Sequence, residues 1–322
     1  MLTDFIKKYK LILFDLDGVI TSESAYFTAA ALTVYEALFK QMPADMSKDE
    51  ITDLVFCGGK TVTRLKTLGI NTNWDLAYLV YLYAKITNKA SIFEAVYSYY
   101  SSIDERVPGL YDIAAKMYCE KTGESYEYSK RQGKLWNGLR DMFQRWYLGD
   151  GGKDGLIKNE KPVIPLQKLK AVLNELKENN IKIGAGTGRP HSEAQGALDN
   201  FGVFDLFSEK HFITYTDIEA AQKNVGDVFG EVDFSKPHPY IFLKGALSKD
   251  FSDMRIYQNN FDKYFLENVL AVGDSISDAL CAKAAGIDFC AVLTGVTGSA
   301  AKTQFEEIGV SYIIDSIGDF IT

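Results

Sequence analysis

The chain has 322 residues, 47% hydrophobic and 24% charged, a composition that excludes global disorder and a length that allows two domains, each with its own core. A formal net charge of −8 argues against a nonspecific polyanion binder, which needs a broad cationic face, so no nucleic-acid partner is expected; a small anionic substrate can still be met by a few local cations. The four cysteines (Cys57, Cys119, Cys281, Cys290) contain no CxxC pair and the three histidines (His191, His211, His238) are scattered, which speaks against a disulfide scaffold, a thiolate zinc site or a histidine metal cluster.

Lys7, Lys8 and Lys10 lead into LILFDLDGVI. The apolar stretch before Asp15 is about four residues, far short of a signal-peptide core or a membrane span, and no later apolar run reaches roughly 18 residues. A cytoplasmic protein with no membrane partner is the expectation. Leu11 to Phe14 reads as a buried β-strand, which puts Asp15 at its C-terminal end. From Ser24 to about Tyr147 the segments look helical, polar and aromatic, with few strand candidates; Pro108-Gly109 is expected to divide this stretch. Trp136, Phe143, Trp146 and Tyr147 read as its packed interior, whereas Tyr97, Tyr99 and Tyr100 fit either packing or a crevice lining. Gly149, Gly151, Gly152 and Gly155 mark a return, stiffened by Pro162 and Pro165.

Beyond the return the pattern changes. Leu166, Leu169, Val172, Leu173 and Leu176 recur at helical spacing, Asn179 and Asn180 end the helix, and Ile181 to Ala185 resumes as a strand. Residues 212–235 and 248–266 look like excursions from the sheet. Val269 to Val272 reads as a strand, Ser277 to Ala285 as a helix with Gly286 past its end, Phe289 to Leu293 as a strand, 300–308 as a helix and Val310 to Ile314 as a last strand. The predicted fold is α/β: a Rossmann-like parallel-sheet core from residues 1–20 and 161–322, and an inserted, mainly helical domain over residues 21–160. Ligands then belong at the carboxyl ends of the strands.

Four clusters carry chemistry. In Asp15-Leu16-Asp17-Gly18 the two carboxylates face one side if strand geometry continues, and Gly18 lets the chain turn its amides towards an anion. Acids this close repel unless a shared proton or a cation intervenes, and a hard divalent ion with oxygen ligands is the simplest partner; the plainer reading is a solvated loop. Asp274 and Asp278, one helical turn apart in GDSISDAL, can face the same point or can serve as helix capping. Thr187-Gly188-Arg189 follows a strand and suits a phosphate oxygen, with Arg189 on either the substrate anion or a nearby acid. Lys236, in SKPHPYIF, is fixed before a rigid turn and can present its ammonium to a phosphoryl group, or lie free at the surface.

FDLDGVI, TGR after a strand, KPHP and GDSISDAL, in that order, resemble the haloacid dehalogenase-like superfamily of hydrolases over residues 9–20 and 163–322. VLTGVTGS and FEEIGVSYIIDSI are similar to its phosphoglycolate-phosphatase-like and β-phosphoglucomutase-like branches. The resemblance implies that Asp15 is the nucleophile and Asp17 the general acid and base. It also implies that Thr187 and Lys236 hold the transferring phosphoryl group; Gly188 and Arg189, from their place after the strand, are candidate substrate-binding residues. Asp15, the Asp17 backbone carbonyl, Asp274 and Asp278 would bind Mg²⁺, and residues 21–160 would be the family's cap. Phe56-Cys57-Gly58-Gly59-Lys60 and Arg64 look like a cap specificity loop, with Gly59, Lys60 and Arg64 as substrate contacts; the alternative is a glycine-rich connection with Lys60 solvated. GGKT is no P-loop, because Leu54 stands where that motif needs glycine.

The implied activity is hydrolysis of a small phosphorylated metabolite, a phosphomonoester, through an aspartyl-phosphate. The alternatives are a β-phosphoglucomutase-like phosphoryl transferase and a noncatalytic phosphometabolite-binding protein. Asp17 disfavours a dehalogenase, whose halide leaves without a proton. A phosphonatase using a cap lysine stays open. TGRP departs from the branch's commoner threonine-asparagine, which weakens any phosphoglycolate assignment. Monomer and homodimer are both open.

Overall fold

The computed structural model describes residues 1–70, 72–103 and 109–322. The chain divides into two compact units, Met1–Ser22 with Glu160–Thr322, and Glu23–Asn159. The first is built on a six-stranded parallel sheet. Its strands are β1 (Leu11–Phe14), β2 (Lys182–Gly186), β3 (Phe212–Ile213), β4 (Val269–Gly273), β5 (Asp288–Val292) and β6 (Tyr312–Ile314), in the order β3-β2-β1-β4-β5-β6. The central β1 pairs with β2 from Leu11↔Lys182 to Phe14↔Ala185 and with β4 from Leu11↔Val269 to Phe14↔Val272.

These strands are continuous apolar runs because both faces of the sheet are covered. Side chains alternate between faces along a strand. Ile12, Phe14, Ile183, Ala185, Leu270 and Val272 therefore share one core with Leu169, Val172, Leu173 and Leu176 of the helix Leu166–Glu178. Leu11, Leu13, Val269 and Ala271 share the other with Ile241 and Phe242 of the helix Tyr240–Leu247 and Cys281 and Ala282 of the helix Ile276–Ala285. Each such leucine or valine contributes about 1.5–3 kcal/mol by leaving water.

Two segments read from sequence as excursions belong to this unit's architecture. Phe212–Ile213 is the edge strand β3, paired to β2 through Ala185↔Phe212 and Gly186↔Ile213. The helix Tyr215–Phe229 that follows packs Ile218, Ala221 and Val225 into the second core. Ile256 and Leu266, within 248–266, are buried in that same core. A strand of two residues is too short to show alternation, which is why the sequence conceals it. The C-terminal helix is Lys302–Glu307, preceded by a tighter turn over Gly298–Ala301.

The second unit consists of helices, among them Ser24–Phe39, Asn73–Ile86, Leu110–Thr122 and Lys134–Gln144. Pro108 lies outside the described residues, and Gly109, with φ 76°, caps the helix Leu110–Thr122. Trp136, Phe143, Tyr147 and Tyr100 are buried. Trp146 is half-buried, and its indole Nε1 donates to Glu36 Oε2 at 2.7 Å. Ser47 and Glu50 form a capping box that starts the helix Lys48–Phe56.

The fully buried Asp75 carboxylate accepts hydrogen bonds from Trp136 Nε1 at 2.8 Å, Arg131 Nε at 3.0 Å and Tyr111 OH at 3.3 Å. It links the helices Asn73–Ile86, Leu110–Thr122 and Lys134–Gln144. Asp75→Ala leaves a buried indole donor and the arginine without their acceptor. It is expected to cost about 2–4 kcal/mol, discounted because Arg131 reaches solvent. Denaturant unfolding followed by tryptophan fluorescence measures it.

Candidate active site

The in-register pairing of β1 with β4 fixes where the acids emerge. Asp15 N donates to Val272 O at 2.8 Å, extending the ladder by one residue, and Asp274 follows directly after β4. Asp15, Asp274 and Asp278 each offer an oxygen within 4.8 Å of the others. The Asp274 carboxylate sits so close to two backbones that neither tolerates a side chain. A Cβ on Gly18 would lie 2.4 Å from Asp274 Oδ2, and one on Gly295 would lie 1.8 Å from it. Gly18 also has φ 74°, a left-handed backbone that suits glycine. Thr294 Oγ1 donates to Gly18 O and joins the loop after β5 to the loop after β1.

Asp278 satisfies both readings of its sequence context. Its Oδ2 accepts from Ser275 N at 3.3 Å and Ser275 Oγ at 2.6 Å, closing a capping box on the helix Ile276–Ala285. Its other oxygen, Oδ1, meets Lys236 Nζ at 2.7 Å, and the same ammonium lies 3.1 Å from Asp15 Oδ1. Burial pushes the Asp15 carboxyl up to about 7; Lys236 opposes this, while Asp278 and Asp17 add to it. Burial alone would lower the Lys236 pKa, but the Asp15 and Asp278 carboxylates outweigh it and hold the ammonium above its ordinary value. Lys236 therefore carries its charge throughout the neutral range.

Thr187 follows β2, is fully buried, and has its N–H on Ile213 O at 3.0 Å. Its Oγ1 accepts from Arg189 N at 3.2 Å, and Gly188 lies in the turn between them, with open space where a Cβ would stand. Arg189 takes the second of its two sequence readings. It is buried and holds acids: its Nε meets Asp17 Oδ1 and Oδ2 at 3.1 Å each, and its Nη1 meets Glu160 Oε1 and Oε2 at 2.9 Å each. Neither Glu160 nor Thr21, whose hydroxyl accepts from Arg189 Nη2 at 2.9 Å, stood out in the sequence. The remaining sequence candidates lie in the helical unit. Gly59 precedes the helix Lys60–Thr67, Lys60 is exposed, and Arg64 Nε donates to Tyr100 O at 3.1 Å.

Missed as well were Thr294 and Gly295. The sequence signal available for Gly295 was a glycine soon after the end of a strand, which becomes informative only when the Asp274 carboxylate is placed against it.

The cluster fits a hard divalent cation. Its donors are all carboxylate oxygens, and two of the three acids, Asp15 and Asp278, share the one Lys236 ammonium, which leaves an excess of negative charge on that pair in a buried place. That excess is costly without a counter-charge. Among the described residues no helix is long and apolar enough to cross a membrane.

No curated protein matches the chain. A solved structural-genomics target is 24% identical with a TM-score of 0.77, over 96% of this chain and 97% of its own. A putative haloacid dehalogenase-like hydrolase from Bacteroides fragilis is 19% identical with a TM-score of 0.51, over 98% of this chain and 100% of its own. A phosphatase from Thermococcus thioreducens is 14% identical with a TM-score of 0.50, over 97% and 94%. These likenesses are of fold. The profile of the haloacid dehalogenase-like hydrolases matches residues 9–286, a span that starts before β1 and takes in Asp15, Thr187, Lys236, Asp274 and Asp278. On that match the chain belongs to the haloacid dehalogenase-like hydrolase family.

Proposed function

We propose that the chain is a Mg²⁺-dependent phosphatase that hydrolyses a small phosphomonoester through an aspartyl-phosphate on Asp15. The observation that carries this reading is the grouping of Asp15 with Asp274 and Asp278, with the Lys236 ammonium between Asp15 and Asp278. A nucleophilic carboxylate, a fixed cation for phosphoryl oxygens and an acidic set suited to a hard ion then occupy one strand end.

In this reading a free Asp15 oxygen attacks phosphorus while Asp17 donates a proton to the departing alkoxide. Asp17, now a carboxylate, takes a proton from water, which attacks phosphorus and releases phosphate and free Asp15. Lys236 and the Thr187 hydroxyl hold the equatorial oxygens, so charge developing there meets fixed donors. Asp15, Asp274 and Asp278, with the Asp17 backbone carbonyl, would hold Mg²⁺, which supplies positive charge opposite the phosphoryl oxygens when bound.

The test is phosphate release from a panel of small phosphomonoesters, with Mg²⁺ and with EDTA. Release that requires Mg²⁺ is expected; isomer interconversion without net release would favour a phosphoryl transferase. A proton and the cation compete for Asp15, whose pKa in the metal-free protein is about 7. As pH falls below that value the carboxylate is protonated before metal arrives. The apparent Mg²⁺ dissociation constant is therefore expected to rise by up to about tenfold per pH unit. Calorimetric titration from pH 8 to 5.5 measures it, and an affinity independent of pH would remove Asp15 from the ligand set.

A further inference from the structure

The TGR arginine is not used in the chemistry above, yet it is among the most completely buried large side chains in the protein. Its guanidinium grips Asp17 through Nε and Nη2, Glu160 through Nη1 and Thr21 through Nη2. Its backbone is pinned too: the N–H donates to Thr187 Oγ1 at 3.2 Å, and the carbonyl accepts from Tyr215 N at 2.9 Å. The Arg189 side chain is 1% exposed and Glu160 0%, whereas Asp17 keeps 24%. The grip therefore covers the inner side of the Asp17 carboxylate and leaves an outer edge open.

Glu160 and Thr21 lie beside the two points where the chain passes between its units. The outgoing and returning segments pair there, Ser22 N to Lys161 O at 2.8 Å and Val163 N to Ile20 O at 3.1 Å. A buried ion pair gains little stability over apolar packing, because desolvation offsets attraction. What a planar fork on two carboxylates gives is orientation.

We propose that Arg189 and Glu160 are positioning residues for proton transfer: Glu160 aims the guanidinium, and the guanidinium aims the open edge of Asp17 at the leaving group. This rests on the reading of Asp17 as general acid. A lysine at position 189 keeps the charge but loses the fork, and glutamine at position 160 keeps the shape but loses the charge that holds the fork.

The test measures kcat/KM for p-nitrophenyl phosphate, whose leaving group departs without a proton, and for phenyl phosphate, whose leaving group needs one. In Arg189→Lys and in Glu160→Gln, kcat/KM for p-nitrophenyl phosphate is expected to fall less than about threefold. For phenyl phosphate it should fall about 30-fold or more, within the scale of positioned proton transfer. Glu160→Gln, close in volume to the native residue, carries the test if Arg189→Lys does not fold. Equal losses on both substrates, or none, overturn the proposal, since a merely structural role does not sense the leaving group. Asp17→Asn must show the same discrimination. If it does not, the general-acid reading falls and this proposal with it; if it alone does, only the positioning role falls.

Discussion

Asp15→Asn is expected to abolish turnover, with a loss of at least about 10⁴-fold, because on the proposed mechanism no other group takes over the displacement once the Asp15 carboxylate is gone. Asparagine fills the same space, so the ladder hydrogen bond from the residue 15 N–H to Val272 O survives. Burial no longer opposes a charge at this position, so the metal-free variant should fold at least as well as the parent. Retained folding with lost phosphate release, followed by circular dichroism and a phosphate assay on the same sample, separates chemistry from stability. Phosphate release surviving in Asp15→Asn would move the nucleophile elsewhere.

Lys236→Ala is the second large effect. The ammonium faces Asp15 and Asp278 at 3.1 and 2.7 Å and is held charged by both. Loss of what is proposed as one fixed donor to the transferring phosphoryl group is expected to cost about 10²- to 10³-fold in kcat, about 3–4 kcal/mol of transition-state stabilisation. Arg189 cannot substitute, since its guanidinium is held by Asp17 and Glu160. Mg²⁺ affinity should move the other way. With a competing cation removed from beside two of its ligands, the ion should bind at least as tightly as in the parent. Single-turnover rates and calorimetric Mg²⁺ titration on the same variant read both. A variant that loses metal and activity together would make Lys236 a support for the metal site rather than a phosphoryl contact.

Much of this was legible because chemistry and local pattern coincide at strand ends. The run Leu11–Phe14, the acids that follow it, and the helix carrying Asp278 all stand where the sequence puts them, since fully buried parallel strands write themselves as unbroken apolar runs. Edge strand β3 was illegible for the opposite reason: two residues carry no period, and only pairing with Ala185 and Gly186 makes them a strand. Arg189 shows a different limit. Its residue type announced an anion, but its sequence neighbourhood could not say whether that anion was a substrate or the protein's own acids, because Glu160 is 29 residues away. Gly295 was silent because the need for glycine comes from the Asp274 carboxylate across a loop, not from its own neighbours.

In the proposed mechanism one oxygen of Asp15 takes the phosphoryl group while the surrounding acids hold the ion. Acid-quenched turnover mixtures, digested and mapped by mass spectrometry, address it most directly. An acid-stable, hydroxylamine-labile phosphate is expected on the peptide containing Asp15, formed only with Mg²⁺. Label on a histidine, serine or cysteine peptide, or an unlabelled Asp15 peptide at a time point where turnover has been trapped, would contradict it.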